Sequence, residues 1–282
     1  MPRTARAAAI QSSGTRPRRE STSLSGTPFG MGPSLPERLK RRLDPNERYG
    51  LRVTLFAVAI VLVAVPFATL VFQVLAKGPL TRLDGSVANR LNDWVHNSPT
   101  TVRVLDVITN IGKPITLFVI VTAAVAYLLW RRRIRLALYL VVTSVLGGLI
   151  DTAVKVLVNR PRPEVDHPIA SALGKSFPSG HAMSSTVTYG ALALVFLPVL
   201  PRRWRPVALS VVVLLVLAIG TSRLFLGVHF VSDVIGGFVL GLAWLAASTA
   251  AFSIWRTEEG KKPVDVTQGV EPEAAPALRG ED

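Results

Sequence analysis

From Leu51 onward the chain alternates long apolar stretches with short polar connections. Six stretches, near 53–76, 114–130, 136–157, 182–200, 207–226 and 231–252, can each reach the ~20 residues a helix needs to cross ~30 Å of hydrocarbon. The pattern predicts an all-α integral membrane protein, a bundle of six transmembrane helices over residues 51–255. The second stretch is short, and residues 102–113 either extend it or form an interfacial helix. Val74-Leu75-Ala76 resembles a leader-cleavage site, but the apolar run before it is longer than the roughly 7–15 residues of a signal peptide. A retained span is expected there.

The ends of the chain read differently. Residues 1–50 are rich in Arg, Ser, Gly and Pro with little apolar periodicity, so they bury too little surface to offset the entropy of ordering. A disordered basic tail is expected, and a second one over 256–282. Arg18-Arg19 invites a twin-arginine reading, yet the apolar run begins more than thirty residues later. Arg38 to Arg42 form a juxtamembrane cluster worth about 1 kcal/mol of attraction to anionic headgroups per basic residue.

Composition supports this division. The 282 residues are 49% hydrophobic, with a formal charge of +14 and no cysteine. So apolar a chain is not a basic soluble domain, and no nucleic-acid partner is expected. The absence of cysteine excludes a disulfide framework, thiolate catalysis and Cys-ligated zinc. Arg and Lys concentrate in the tail to residue 52, in Arg131 to Arg135, in Arg202 to Arg205 and in Arg256 to Lys262. By the positive-inside rule these four segments, with both termini, are cytoplasmic, and 77–113, 158–181 and 227–230 face outward.

Three polar clusters fall on that outward face. In the first, Asp151 and Lys155 lie one helical turn apart near the end of the third stretch, where ionisable side chains in a span turn to the bundle interior. Lys155 snorkelling to the interface is the plainer alternative. Arg160-Pro161-Arg162-Pro163 follows, and its prolines force an extended turn that can fold the Arg162 guanidinium back towards Lys155. A planar fork beside a point charge suits a phosphate.

The second cluster is Phe177-Pro178-Ser179-Gly180-His181. Ser179 is a natural N-cap, Gly180 permits close approach of the backbone, and the helix start after them is an anion site. An ordinary cap followed by an interfacial histidine is the alternative. In the third cluster, Ser222-Arg223 ends the fifth stretch and His229 and Asp233 open the sixth, four residues apart and so on one helical face. The carboxylate can then fix the imidazole tautomer, as a nucleophilic or basic histidine requires. The pair could equally be structural.

Taken together, Lys155-x6-Arg162-Pro163, Pro178-Ser179-Gly180-His181 and Ser222-Arg223-x5-His229-x3-Asp233 resemble the complete tripartite signature of the type 2 phosphatidic acid phosphatase superfamily. The likeness covers about residues 51–255. It implies a metal-independent lipid phosphatase with no cofactor, whose partners are the bilayer and a lipid substrate. It also implies roles: His229 as nucleophile forming a phosphohistidine, Asp233 orienting it, and His181 as general acid. Lys155, Arg162, Arg223, Ser179 and Gly180 would hold the phosphate oxygens. Isoprenoid diphosphates such as undecaprenyl diphosphate, phosphatidate and phosphatidylglycerol phosphate are the candidate substrates. A phosphotransferase using a lipid or sugar acceptor shares every one of these residues, and a transporter of a phosphorylated solute is the non-enzymatic alternative. Oligomeric state stays open.

Other polar residues fit simpler roles. Glu164, Asp166 and His167 lack metal-ligand spacing. Lys175 reads as a solvated loop lysine. Asn92, Asp93, Trp94 and His96 fall on an amphipathic stretch of the first outer loop, and Gly237 and Gly241 suit close helix packing.

Overall fold

Successive apolar stretches joined by short connections must pack antiparallel, and the computed structural model has that arrangement. It describes residues 64–166, 169–170, 172–262 and 264–281, without the side chains of Arg82 and Val266. The tail expected over 1–50 and the start of the first expected span lie outside the described residues. Among the described residues the regular structure is entirely helical.

The first helix, α1, is described over Ala64–Leu75. It is followed by α2 (Pro79–His96), α3 (Pro99–Ile111), α4 (Pro114–Trp130), α5 (Ile134–Val158), α6 (Gly180–Phe196), α7 (Arg205–Phe225), α8 (Val231–Glu258) and a short α9 (Ala275–Arg279). Four of these, α5 to α8, are singly long and apolar enough to cross a membrane, with 3-10 turns extending α6 and α7. The other two spans exist only as bent pairs, α1 with α2 at 73° and α3 with α4 at 43°. The six expected spans thus resolve into four to six. Proline sets the breaks: Pro79, Pro99 and Pro114 stand in the first turns of α2, α3 and α4, where a missing N–H costs nothing. Residues 102–113 belong to the separate helix α3, whose N-cap Ser98 accepts from the Thr101 N–H.

The central element is α6, 61% buried along its span against 17% to 28% for α5, α7 and α8. Glycine allows this. A Cβ on Gly237 would stand 2.6 Å from the Ser179 carbonyl oxygen, and one on Gly241 would stand 2.9 Å from the Thr186 Cβ. α8 therefore lies backbone to backbone against α6, the small-residue contact that drives association where lipid supplies no hydrophobic force.

At the opposite end of the bundle, Leu128, Leu136, Leu140, Leu194, Val195 and Phe252 form a core that takes in Val270, Ala274 and Leu278 from beyond α8. The segment after Trp255, expected as a disordered tail, is therefore folded over its described residues. Its apolar positions recur every fourth residue, and its backbone is tied down. The Val270 N–H donates to Leu194 O (3.0 Å), the Tyr127 hydroxyl to Leu278 O (2.5 Å), and Arg256 to Val270 O (2.8 Å). Arg131 also donates to Ala277 O.

Gly237→Val should lower stability in detergent by about 1–3 kcal/mol, the usual cost of overpacking. Gly148→Ala, whose Cβ meets nothing within 4 Å, should leave the unfolding midpoint unchanged or slightly raised. Equal effects of the two substitutions would contradict the close packing of α6 on α8.

Candidate active site

Antiparallel packing brings the end of α5, the start of α6, the end of α7 and the start of α8 to one end of the bundle. All eight residues singled out in the sequence lie on these ends or on the connections between them. Their hub is Asp233, fully buried in the first turn of α8. Arg160 Nη1 donates to its Oδ1 at 2.6 Å. Its Oδ2 accepts from the Phe230 N–H (2.9 Å) and from the Ser176 hydroxyl, and lies 3.4 Å from His229 Nδ1. The Asp233 backbone carbonyl accepts the Ser179 N–H at 2.9 Å, which joins α8 to the start of α6.

The His229 tautomer follows from its neighbours. Arg162 Nη1 lies 3.1 Å from Nε2, and a guanidinium can only donate, so Nε2 carries the lone pair and Nδ1 carries the proton facing Asp233. Burial pushes the His229 pKa down to about 4; Asp233 opposes this, and Arg162 and Arg223 add to it. At neutral pH the ring is an uncharged base with its lone pair on the side of the cations.

Arg162 is held as a fork. It donates to Leu173 O (3.0 Å), Gly174 O (3.2 Å) and Val228 O (2.9 Å), stitching two connections together around His229. Instead of folding back towards Lys155, the guanidinium is aimed at the imidazole. Lys155 bonds both Asp151 oxygens at 2.6 Å and Pro178 O at 2.8 Å, so each of its three protons has an acceptor. It anchors the turn before α6 as well as charging the site. Gly180 leaves room for that anchor: a Cβ there would stand 3.2 Å from both Lys155 Nζ and Asp151 Oδ2 and would crowd the pair.

Ser179 occupies the N-cap position of α6, yet its side chain does not cap the helix. Its buried Oγ has no hydrogen-bond partner among the described residues, and neither do His181 Nε2 and Arg223 Nε. Arg223 Nη1 donates to Thr109 on α3 at 2.7 Å. His181 lies within electrostatic reach of Arg223, His229 and Lys155. The start of α6 and the end of α7 thus contribute unspent polar atoms at the end of the bundle that holds His229, with His181 and Arg223 in electrostatic reach of its ring, an arrangement suited to an oxyanion.

Sequence reasoning missed Asp84, Arg160, Ser176, Ser232 and Thr109 as members of this site. Arg160 had a signal, since it is the first arginine of Arg160-Pro161-Arg162-Pro163; Asp84, a lone acid on α2, had none. Glu164, Asp166 and Lys175 are exposed on the connection between α5 and α6, and His167 lies outside the described residues. Among the described residues no three His, Asp or Glu side chains converge to hold a metal ion.

A family profile described as the PAP2 superfamily matches residues 134–256. Phosphatidylglycerophosphatase B of Bacillus subtilis is 33% identical over 147 residues, 51% of this chain and 71% of that protein. Lipid A 1-phosphatase of Rhizobium etli is 32% identical over 121 residues, and the chain spans only 48% of its length. A crystal structure described as the first transmembrane PAP2 type phosphatidylglycerolphosphate phosphatase from Bacillus subtilis shares the fold with a TM-score of 0.65. It is 24% identical and covers 73% of this chain and 98% of its own.

The low His229 pKa has a kinetic consequence. Protonation removes the Nε2 lone pair, so the acid limb of kcat/KM should fall as pH drops through about 4, rather than through the ordinary histidine value of 6.5. NMR titration of the labelled rings should find His229 neutral at pH 6. A His229 ring half-protonated near 6.5 would contradict the buried, cation-flanked setting.

Proposed function

The chain belongs to the PAP2 superfamily and is a phosphoric ester hydrolase; from that premise we propose that it hydrolyses a lipid phosphate at its outer membrane face through a phosphohistidine on His229. The observation that carries this reading is the unprotonated, buried Nε2 of His229 beside Arg162.

The steps follow from the donors and acceptors in place. As the phosphate enters, an Arg162 N–H exchanges Nε2 for a phosphate oxygen, which frees the lone pair for in-line attack on phosphorus. The N–P bond forms as the bond to the lipid oxygen breaks, and His181, protonated by the proton that a monoanionic phosphate brings into the site, gives that oxygen a proton. Water then attacks phosphorus, passing a proton to His181, as the N–P bond breaks and its electron pair returns to His229 Nε2, and inorganic phosphate leaves. The Nδ1 proton faces Asp233 throughout, so the carboxylate stabilises the ring's positive charge. Arg162, Arg223, the Ser179 hydroxyl and the open N–H groups at the start of α6 receive the equatorial oxygens. Lys155, fixed by Asp151 and Pro178, adds a positive field.

A lipid substrate is supported by the apolar surroundings. A cavity of about 630 Å³ runs between α6, α7 and α8 from Val216 and Phe238, below the site, past Leu245 to Arg256 and Val270 at the far end, and none of the eight site residues lines it. Val213, Leu217 and Leu242 line it too and are themselves exposed, which suits lateral entry of a hydrocarbon chain. The relative named phosphatidylglycerophosphatase B favours phosphatidylglycerol phosphate, with phosphatidate and isoprenoid diphosphates as the competing headgroups. Arg131 to Arg135, Arg202 to Arg205 and Arg256 to Lys262 gather at the end of the bundle away from His229, and by the positive-inside rule the site faces outward with the C-terminus cytoplasmic.

Purified protein with EDTA present should release phosphate from at least one of these three lipids, ranked by kcat/KM, and vanadate should inhibit. His229→Ala should abolish both turnover and a trapped phosphoenzyme, and Arg223→Ala should lower kcat about 10²–10³-fold. Phosphate release surviving in His229→Ala, or strict dependence on added Mg²⁺, would overturn the mechanism. A cysteine introduced at exposed Lys175 should react with an impermeant thiol reagent on intact cells, and labelling only after lysis would reverse the orientation.

A further inference from the structure

Arg160 and Asp84 play no part in the steps above, yet they form the most deeply buried ion-pair network in the described structure. Asp84, on α2, is 2% exposed, and Arg160, just past α5, is 7% exposed. Arg160 Nη1 binds Asp233 Oδ1 at 2.6 Å and Ser232 Oγ at 2.7 Å, while its Nη2 binds Asp84 Oδ2 at 2.9 Å. Asp84 also accepts the Ser232 N–H at 3.1 Å and the Ser232 hydroxyl. The guanidinium is stacked 4.1 Å over the Phe230 ring, and the Arg160 carbonyl accepts the Ser176 N–H at 2.9 Å.

The division of the fork is informative. A guanidinium next to a single carboxylate tends to close on both oxygens. Here its two arms go to two carboxylates, so Asp233 receives one arm on one oxygen. We propose that Asp84 and Arg160 are positioning residues of the nucleophile: by drawing Nη2 away, Asp84 confines Arg160 to Oδ1 of Asp233 and leaves Oδ2 to the His229 imidazole.

The arrangement also fixes the carboxylate's rotation, because Oδ2 is held by the Phe230 N–H and the Ser176 hydroxyl on the side facing Nδ1. A plainer role would be mechanical, with Asp84 closing the start of α8 through Ser232 and tying α2 to the bundle. The two roles differ in what the imidazole feels. The charged groups facing His229, which lies on the connection just before α8, are Asp233 from the first turn of α8, Arg223 from α7, His181 from α6 and Arg162 from the connection after α5; Lys155 of α5 reaches it through Asp233. Asp84 and Arg160 act through Asp233 alone.

The sign of the effect should therefore oppose between the two. Asp84→Asn frees Nη2 to close on Asp233, which withdraws negative charge from the ring and moves the His229 titration to lower pH. Arg160→Gln removes the cation and moves it to higher pH, with Arg160→Lys in between. Both Asp84→Asn and Arg160→Gln should lower kcat about 10–100-fold, the scale for groups that orient a reacting side chain from behind, with KM little changed.

The experiment is NMR titration of histidine-labelled full-length protein in micelles, alongside kcat, KM and the unfolding midpoint for each variant. Opposite shifts in folded variants support the proposal. Absent or same-direction shifts overturn it in favour of a mechanical brace. If Asp84→Asn does not fold, Arg160→Gln against Arg160→Lys carries the test, and an unshifted ring in folded Arg160→Gln overturns it. The proposal rests on His229 as nucleophile, and the two fail separately. Activity surviving in His229→Ala removes that reading, whereas an inactive His229→Ala beside unshifted Asp84→Asn and Arg160→Gln removes only the positioning role.

Discussion

A carboxylate with no exposed surface stays ionised only when its charge is met on every side, and Asp233 imposes that condition on its end of the bundle. It is met by Arg160 on one oxygen, by a backbone N–H and a hydroxyl on the other, and by the positive end of α8. Removing one partner of such a buried pair costs about 3–5 kcal/mol, because the remaining charge is left uncompensated. The elements that supply these partners are thereby fixed in place. Arg160 fixes the chain leaving α5, Ser176 fixes the turn before α6, and Ser179 binds the Asp233 carbonyl.

The reactive geometry is a consequence of this constraint. With its charge neutralised largely from behind, Asp233 turns one oxygen to His229, and the ring's other nitrogen is left facing Arg162 with its lone pair intact. Cations on that side would repel an imidazolium and welcome a phosphate, so the field that keeps the imidazole neutral also suits the group that the proposed mechanism has it attack. Glycine makes the contacts short enough. Gly180 admits Lys155, and Gly237 brings the start of α6 against α8.

Much of this was legible in the chain because it is local. Helical spacing gave the Asp151–Lys155 pair, and the prolines marked where α5 must end; His229 and Asp233 do meet, but not on one helical face as their spacing suggested, because His229 precedes the N-cap Phe230 and reaches Asp233 from the connection before α8. Contacts across many residues were hidden. Asp84 meets Ser232 across 148 positions, and no spacing rule reaches that far. Ser179 looked like a helix cap by residue type, but its hydroxyl is left unpaired while Asp233 takes its N–H. Asp151 was a legible partner for Lys155, but the Pro178 carbonyl that takes its remaining proton lies 23 residues away and was not. In the C-terminal segment, Pro, Glu and Gly masked a four-residue apolar repeat that becomes meaningful only once Leu194 and Tyr127 are there to receive it.

A structure with vanadate bound would test the central claim most directly, since five-coordinate vanadium mimics phosphorus under attack. The expected density joins vanadium to His229 Nε2, places His181 on the opposite apical side, and shows Arg162 turned from the imidazole to an equatorial oxygen. Vanadate bound to another side chain, or His229 Nε2 still paired with Arg162 beside it, would contradict the assignment of His229 as the nucleophile.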